Sequence, residues 1–303
     1  MDWITGLQRA VDYIEEQICE DIDYDEIASK CYSSSYHFQR VFGLLCGYTV
    51  GEYIRNRRLS LAGAELAAGD IKVIDAALKY GYESPDSFSK AFRRFHGVLP
   101  SQARAGGCDL RSFSRLVLKI SLEGGMNMDY RIEEKPELVF TGFKRRFNGV
   151  PVDRREQERD MFVETRPLQY ILHYLQGDLD TGYEIVTNIG EDGYDFYIAA
   201  ILPDWCRDRL EQQGVLGAEC ASYYEQIRVG AHKYAVFETE RSRYPTLTSP
   251  DLRRRVASEW LPGSGYRLAD APEIVVSHWY GGDRKEDRYR ELWVPIEKNC
   301  EFK

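Results

Sequence analysis

Two kinds of stretch in this chain hold side chains whose types and spacing suit recognition chemistry. The first kind is basic and occurs twice. Tyr36, His37, Gln39 and Arg40 stand between apolar positions in one copy, and Ser87, Ser89, Lys90, Arg93 and Arg94 in the other. These are donors suited to base edges and phosphates. The second kind is the alternating run Tyr289-Arg290-Glu291-Leu292-Trp293-Val294-Pro295-Ile296. On a strand, Tyr289, Glu291, Trp293 and Pro295 face one way, and Leu292, Val294 and Ile296 the other. The second set is a plain core face. The first places a carboxylate between two aromatic rings, which suits an organic cation: the rings offer π faces and the carboxylate offers charge. Burial would raise that carboxyl's pKa unless a cation compensated it. Plainer alternatives stand beside both readings. The basic runs fit a solvated charged face, and Glu291 fits a solvated edge strand or a pair with Arg288 or Arg290.

The elements that must carry these residues change character along the chain. Residues 1–105 read as helices. Trp3, Leu7, Ala10, Val11, Ile14 and Ile18 recur at helical spacing. Asp23 or Asp25 can cap a second helix, and Ser33-Ser34-Ser35 a third ending at Gly47. A long helix is expected from Val50 to Ala68, stopped by Gly69-Asp70. A fifth runs from Val73 to Tyr80, and a sixth starts at Ser84-Pro85 and ends at Gly97 and Pro100. Within this segment Phe38, Phe42 and Gly47 recur fifty residues later as Phe88, Phe92 and Gly97, and Ala28 recurs as Ala77. Each copy reads as helix, turn, helix. Two ordinary helical hairpins would show the same spacing.

Residues 106–127 are expected to be a linker, bracketed by Gly106-Gly107 and Gly124-Gly125. From 128 to 303 the period is mixed. Strands are expected at 138–143, 183–189, 194–202, 223–228, 233–240, 274–280 and 289–296. Helices are expected at 156–175, kinked or split by Pro167, and near 249–260. A hairpin turn is read at Gly190-Glu191-Asp192-Gly193. The order describes an α+β domain of two related β-α-β-β halves.

Composition narrows the function classes. The chain has 303 residues, enough for two domains. It has no run of about 18 apolar residues, so no membrane partner is expected. The N-terminus lacks the regions of a signal peptide. Seven cysteines form no CxxC pair. A disulfide framework and structural zinc are therefore not expected, and a cytoplasmic location is. The net charge is −9, with 12 basic and 15 acidic residues in 1–108. Bulk charge therefore gives nucleic-acid binding no support, and only local clustering could. Arg55, Arg57 and Arg58 add to the basic runs, while acidic residues concentrate at 12–26.

The two halves resemble known families. Residues 5–105 resemble the double helix-turn-helix domain of the AraC/XylS regulators, through Ser33–Phe42 and the long run Gly81–Pro100 followed by Arg104. The N-terminal position of this domain resembles the Rob-like branch. Tyr32 departs from the pattern, standing where relatives often carry Gly. Residues 128–298 resemble the GyrI-like effector-binding domain, through the strand order, Trp260–Tyr266 and the closing Glu291–Ile296.

The resemblance implies a transcription factor whose two recognition helices, near 34–46 and 85–96, enter adjacent major grooves. Its partners would be a double-stranded DNA operator, a small-molecule effector and RNA polymerase. Tyr36, His37, Gln39, Arg40, Ser87, Lys90, Arg93 and Arg94 are the DNA-contact candidates; Asp86 would be repelled by phosphate. In the effector-binding family the functional glutamate precedes the proline by four residues, which here is Glu291. Trp293, Tyr289, Tyr197, Trp205, Phe237 and Trp279 are further lining candidates, although ordinary core packing explains the last four equally well. No Ser/His/Asp order, HExxH or Walker loop is present, and the five histidines are scattered. Neither catalysis nor a cofactor or metal is expected. The alternatives are a small-molecule-sequestering protein or a hydrolase of the same fold, with Glu291 as base.

Overall fold

The computed structural model describes residues 3–31, 33–117, 128–149, 155–190, 193–206 and 224–298. Tyr32, Glu191, Asp192 and residues 118–127 of the glycine-bracketed stretch lie outside these residues. By its internal contacts the chain divides into two units: Met1–Gln39 with Tyr48–Leu122, and Arg40–Gly47 with Glu123–Lys303.

Among the described residues the first unit is helical, with α1 Trp3–Glu16, α2 Tyr24–Ser29, the start of α3 Ser35–Cys46 (whose residues from Arg40 on group with the second unit), α4 Val50–Ala68, α5 Val73–Lys79, α6 Pro85–His96 and α7 Pro100–Ala105. The boundaries follow from local chemistry. Asp23 accepts the Asp25 N–H at 2.9 Å at the start of α2. Ser34 accepts the His37 N–H at 3.3 Å at the start of α3. Thr49 and Glu52 form a reciprocal capping box on α4. Ser84 caps α6 with Pro85 in its first turn, and Gly97 ends it at φ 85°, a left-handed conformation that glycine adopts without strain. The repeat seen in the sequence is a repeat of core positions. Ala28, Phe38 and Phe42 are buried in the first copy, and Ala77, Phe88 and Phe92 in the second.

Two features were not legible beforehand. Helix α7 follows α6 directly, its start held by Gln102 Oε1, which accepts the Leu99 N–H at 2.8 Å. The stretch expected to link the domains lies, up to residue 117, on the helical unit. Phe113 meets Tyr48 and Tyr53 edge-on, with ring centroids 5.6 and 5.9 Å apart. Its N–H donates to Ser60 Oγ, and Arg57 donates to its carbonyl. Below it, Glu15 accepts from Tyr53 Oη at 2.6 Å and from Arg57 Nε and Nη2 at 2.8 and 2.7 Å. Burial pushes the Glu15 carboxyl up, but those donors outweigh burial and hold it low.

The second unit is an antiparallel curled sheet. Its strands are β1 Tyr130–Lys135, β2 Leu138–Asn148, β3 Thr181–Thr187, β4 Gly193–Ala200, β5 Glu225–Val229, β6 His232–Glu238, β7 Tyr266–Leu268, β8 Glu273–His278 and β9 Tyr289–Lys298. The spatial order is β1-β6-β9-β8-β3-β4-β2-β5, with β7 paired to the end of β9. Helix α8 (Arg155–Gln176) follows β2, and α9 (Ser249–Arg255), continued by a π-turn to Trp260, follows β6. The related halves are thus laced together: β1 pairs with β6 of the second half, and β5 with β2 of the first. Strands β1 and β7 escaped the sequence reading. Helix α8 runs unbroken through Pro167. Near it, Thr165 Oγ1 donates to the Met161 carbonyl and Gln169 Nε2 to that of Phe162.

The sheet has two apolar faces. Phe140, Ile185, Tyr197, Tyr234, Val236, Ile274, Val276 and Trp293 pack together on the inner face. On the outer face, Phe143, Val186, Tyr194, Phe196 and Ile198 pack under Met161 and Leu172 of α8. Phe92 is fully buried at the centre of the α4–α6 core. Replacing it with alanine removes a large side chain from packed surroundings, so Phe92→Ala is expected to destabilise the helical unit by about 3–5 kcal/mol. Thermal unfolding followed by circular dichroism measures this directly.

Candidate DNA-reading helices and inner-face site

Helix α6 buries one stripe and exposes the other. Phe88, Phe92 and His96, spaced by four, are buried. The same spacing turns Pro85, Asp86, Ser87, Lys90, Arg93 and Arg94 to solvent. Four of the expected DNA contacts, Ser87, Lys90, Arg93 and Arg94, therefore lie together on one exposed surface. His96 is buried with Nε2 donating to the Leu59 carbonyl at 2.9 Å, and burial lowers its pKa. Helix α3 differs. Tyr36 and Gln39 are half-buried, and Gln39 Nε2 donates to Ser35 Oγ at 3.2 Å. His37 and Arg40, expected on a DNA-facing surface, are buried at 8% and 2% exposure. Residues 40–47 group with the second unit, where Arg40 Nη2 lies 3.3 Å from Glu273 Oε2. Glu273 also accepts from Arg253 at 2.9 and 2.7 Å.

On the inner face of the sheet, the register places Arg131, Val236 and Trp293 side by side on β1, β6 and β9. Glu238 and Val276 flank Glu291. Glu291 Oε1 accepts from Arg131 Nη2 at 2.7 Å, and Oε2 accepts from Trp293 Nε1 at 2.7 Å. His278 Nε2 lies 3.7 Å from Oε1. Burial pushes the Glu291 carboxyl up, but His278, Trp293 and Arg131 outweigh it and hold the carboxyl at about 2. Glu291 is therefore ionised at neutral pH, and its cation is Arg131 rather than either neighbour in sequence. Arg290 pairs instead with Glu184, and Arg288 donates to the carbonyls of Tyr280 and Arg243.

The other aromatic candidates separate. Tyr289 shares the Glu291 face, with its ring stacked on His278 at 4.2 Å and Arg241 4.2 Å above it. Tyr197 lies on the same face, buried farther across the sheet, with Lys144 5.8 Å from its centroid. Phe237 points to the opposite face, where it packs on Trp260 with centroids 5.0 Å apart. The one-residue offset from Val236 puts it there. Trp205 is 58% exposed and Trp279 39%, the latter under the Arg288 guanidinium at 4.3 Å. Neither shares the Glu291 cluster.

Sequence reading missed Arg131 and Lys135. The available signal was the alternation of Arg131, Glu133 and Lys135 with Tyr130 and Ile132. It reads as a strand with one charged face, but lacks an apolar face long enough to stand out. A second charged cluster sits on the same inner face: Asp195 meets Asn188 Nδ2 at 2.7 Å, Lys144 at 3.3 Å and Arg146 at 3.4 Å. Among the described residues no group of three or more His, Cys, Asp or Glu could hold a metal ion, and no helix is long and apolar enough to cross a membrane.

Several known proteins are similar to parts of the chain. A family model described as a helix-turn-helix domain covers residues 27–106. The HTH-type transcriptional activator AarP of Providencia stuartii is 40% identical over 92 residues, 30% of this chain and 68% of AarP. The regulatory protein SoxS of Salmonella typhimurium is 38% identical over 98 residues, 32% of this chain and 92% of SoxS. Among solved structures, SAV2435 bound to tetraphenylphosphonium is 17% identical with a TM-score of 0.40, covering 56% of this chain and 94% of that one. The DNA-binding domain of AdpA in complex with a target DNA is 29% identical with a TM-score of 0.31, covering 33% of this chain and 90% of that one.

The ionisation of Glu291 has a measurable consequence. Its folded value of about 2 lies below the ordinary 4.5. The pair therefore stabilises the fold above pH 4.5, and that stability is lost as pH falls from 4.5 towards 2. Urea unfolding of the parent and Glu291→Gln should differ most near pH 7, with the gap closing below pH 4.5. A gap that does not change with pH would show that Glu291 carries no depressed pKa.

Proposed function

This chain belongs to the AraC family of helix-turn-helix transcription regulators, and from that premise we propose that it is a ligand-responsive regulator in which α6 reads one major groove with its solvent-facing side chains and α3 the adjacent groove with Tyr36 and Gln39, His37 and Arg40 being buried. The observation that carries the reading is the division of α6. Phe88 and Phe92 anchor it in the core, while Ser87, Lys90, Arg93 and Arg94 face solvent together. Lys90 and the arginines suit phosphates and guanine edges, and Ser87 suits either. Two grooves on one face of DNA lie about 34 Å apart. Helix α4, with 19 residues, spans about 28 Å at about 1.5 Å per residue, a fitting rigid spacer between two reading helices. One chain can then engage both grooves. As AarP carries the name of an activator, RNA polymerase is the protein partner this reading implies.

The second unit is the sensor in this proposal, and its ligand a small cationic or lipophilic molecule. Support comes from the inner face, where an ionised carboxylate, a tryptophan and a stacked Tyr289 adjoin an apolar floor of Val236, Ile274 and Val276. That combination offers charge, π surface and a dry wall at one place.

Fluorescence anisotropy on the protein's own promoter DNA tests the first half. Lys90→Ala and Arg94→Ala should each weaken specific binding by about tenfold, and a lost phosphate contact should lower the salt slope by about one. Parent-like binding by both variants would remove α6 from the groove. Calorimetry tests the second half. Glu291→Gln should lose about tenfold in affinity for a lipophilic cation and keep its affinity for a neutral analogue.

A further inference from the structure

The inner-face site already contains a cation. Arg131 extends from β1 and pairs with three carboxylates: Nε with Glu133, Nη1 with Glu238 at 2.7 Å, and Nη2 with Glu291 at 2.7 Å. The second oxygen of Glu291 is taken by the Trp293 indole. Two pleat repeats farther on, Lys135 holds its ammonium 4.0 Å above the Trp293 ring and pairs with Glu133. A lipophilic cation would need the Glu291 carboxylate and the Trp293 face. Both are used by basic side chains of a single strand.

We propose that Arg131 is a built-in counter-cation of the effector site, a specificity-determining residue that a cationic ligand must displace from Glu291. The inference rests on the reading of this face as the effector site, and it adds what limits entry to it. Three observations support displacement over permanent structure. Among the described residues β1 lies at the edge of the sheet, paired only with β6. The Arg131 side chain is 40% exposed, so its guanidinium can swing to water without opening the core. Its departure leaves Glu238 and Glu291 without this guanidinium, beside a Glu133 that Lys135 still neutralises, a net negative site that attracts an entering cation. A neutral ligand gains nothing from this exchange. The plug therefore selects for molecules that bring enough π and apolar contact to repay the lost ion pairs. If the plugged state holds nine molecules in ten, the apparent affinity for a cation falls by about tenfold.

The test is isothermal titration of the full chain with tetraphenylphosphonium and with neutral triphenylphosphine oxide. The proteins are the parent, Arg131→Gln, Glu291→Gln and the double variant. The expected result is cation binding about tenfold tighter in Arg131→Gln, no such gain in the double variant, and little change for the neutral compound. Equal or weaker cation binding by Arg131→Gln overturns the plug while leaving the sensor reading intact, provided the parent binds the cation. Equal gains for both compounds also overturn it, because Arg131 then acts as a steric cover. Absence of binding by every variant for both compounds overturns plug and sensor together. Should Arg131→Gln fail to fold by circular dichroism, Lys135→Met reads the same competition at the Trp293 ring. Tighter cation binding supports the plug, and unchanged binding rejects it.

Discussion

A carboxylate taken out of water must be met by a cation or by hydrogen-bond donors, or it will not stay ionised. This chain carries nine more acidic than basic charges and buries several of its carboxylates. Much of its organisation can be read as the placing of their partners. In the helical unit Arg57 and Tyr53 converge on Glu15, joining α4 to α1. In the sheet Arg290 meets Glu184 across β9 and β3, and Arg253 of α9 meets Glu273 at the start of β8. On the inner face Arg131 of β1 meets Glu291 of β9 across the intervening strand β6. Each pair holds together elements distant in sequence. Breaking one partner away leaves a buried charge exposed to the full desolvation penalty.

The same requirement separates structural surfaces from functional ones. The cations of α6, namely Lys90, Arg93 and Arg94, face solvent. They are available to phosphates. Arg57 and Arg58, which the composition groups with them, are already engaged: Arg57 with Glu15 and Arg58 with the carbonyls of Ile18 and Glu20. A basic residue near a reading helix is thus not by itself a DNA contact. What decides is whether the fold has given its charge another partner.

On the inner face, the proposed cation binding would compete with pairing for one carboxylate. The arrangement that keeps Glu291 ionised is also the one that a cation bound there would have to undo. The Arg131 side chain is 40% exposed, so the proposed exchange could proceed without opening the core. The pseudo-repeat extends the logic. Asp195 on β4 is likewise neutralised by Lys144 and Arg146 from the neighbouring β2.

Elements with strong local signals were legible in the residues alone. Caps at Asp23, Ser34 and Ser84 set helix starts, Gly69 and Gly97 set ends, and the Phe38/Phe88 repeat located the two helical hairpins. The alternation in 289–296 placed Glu291 and Trp293 on one face. These signals act over a turn or a pleat, so a single sequence carries them. Strand β1 was missed because Arg131, Glu133 and Lys135 give it a charged face with no long apolar one. The burial of His37 and Arg40, the packing of residues 108–117 on the helical unit and the turning of Phe237 to the outer face were equally invisible. Only the tertiary structure decided which cation answers Glu291. Its partner lies 160 positions away, brought there by a topology that sets β1 of one half beside β6 of the other. Electrostatic pairing depends on distance in space, and the local rules of the chain do not encode it.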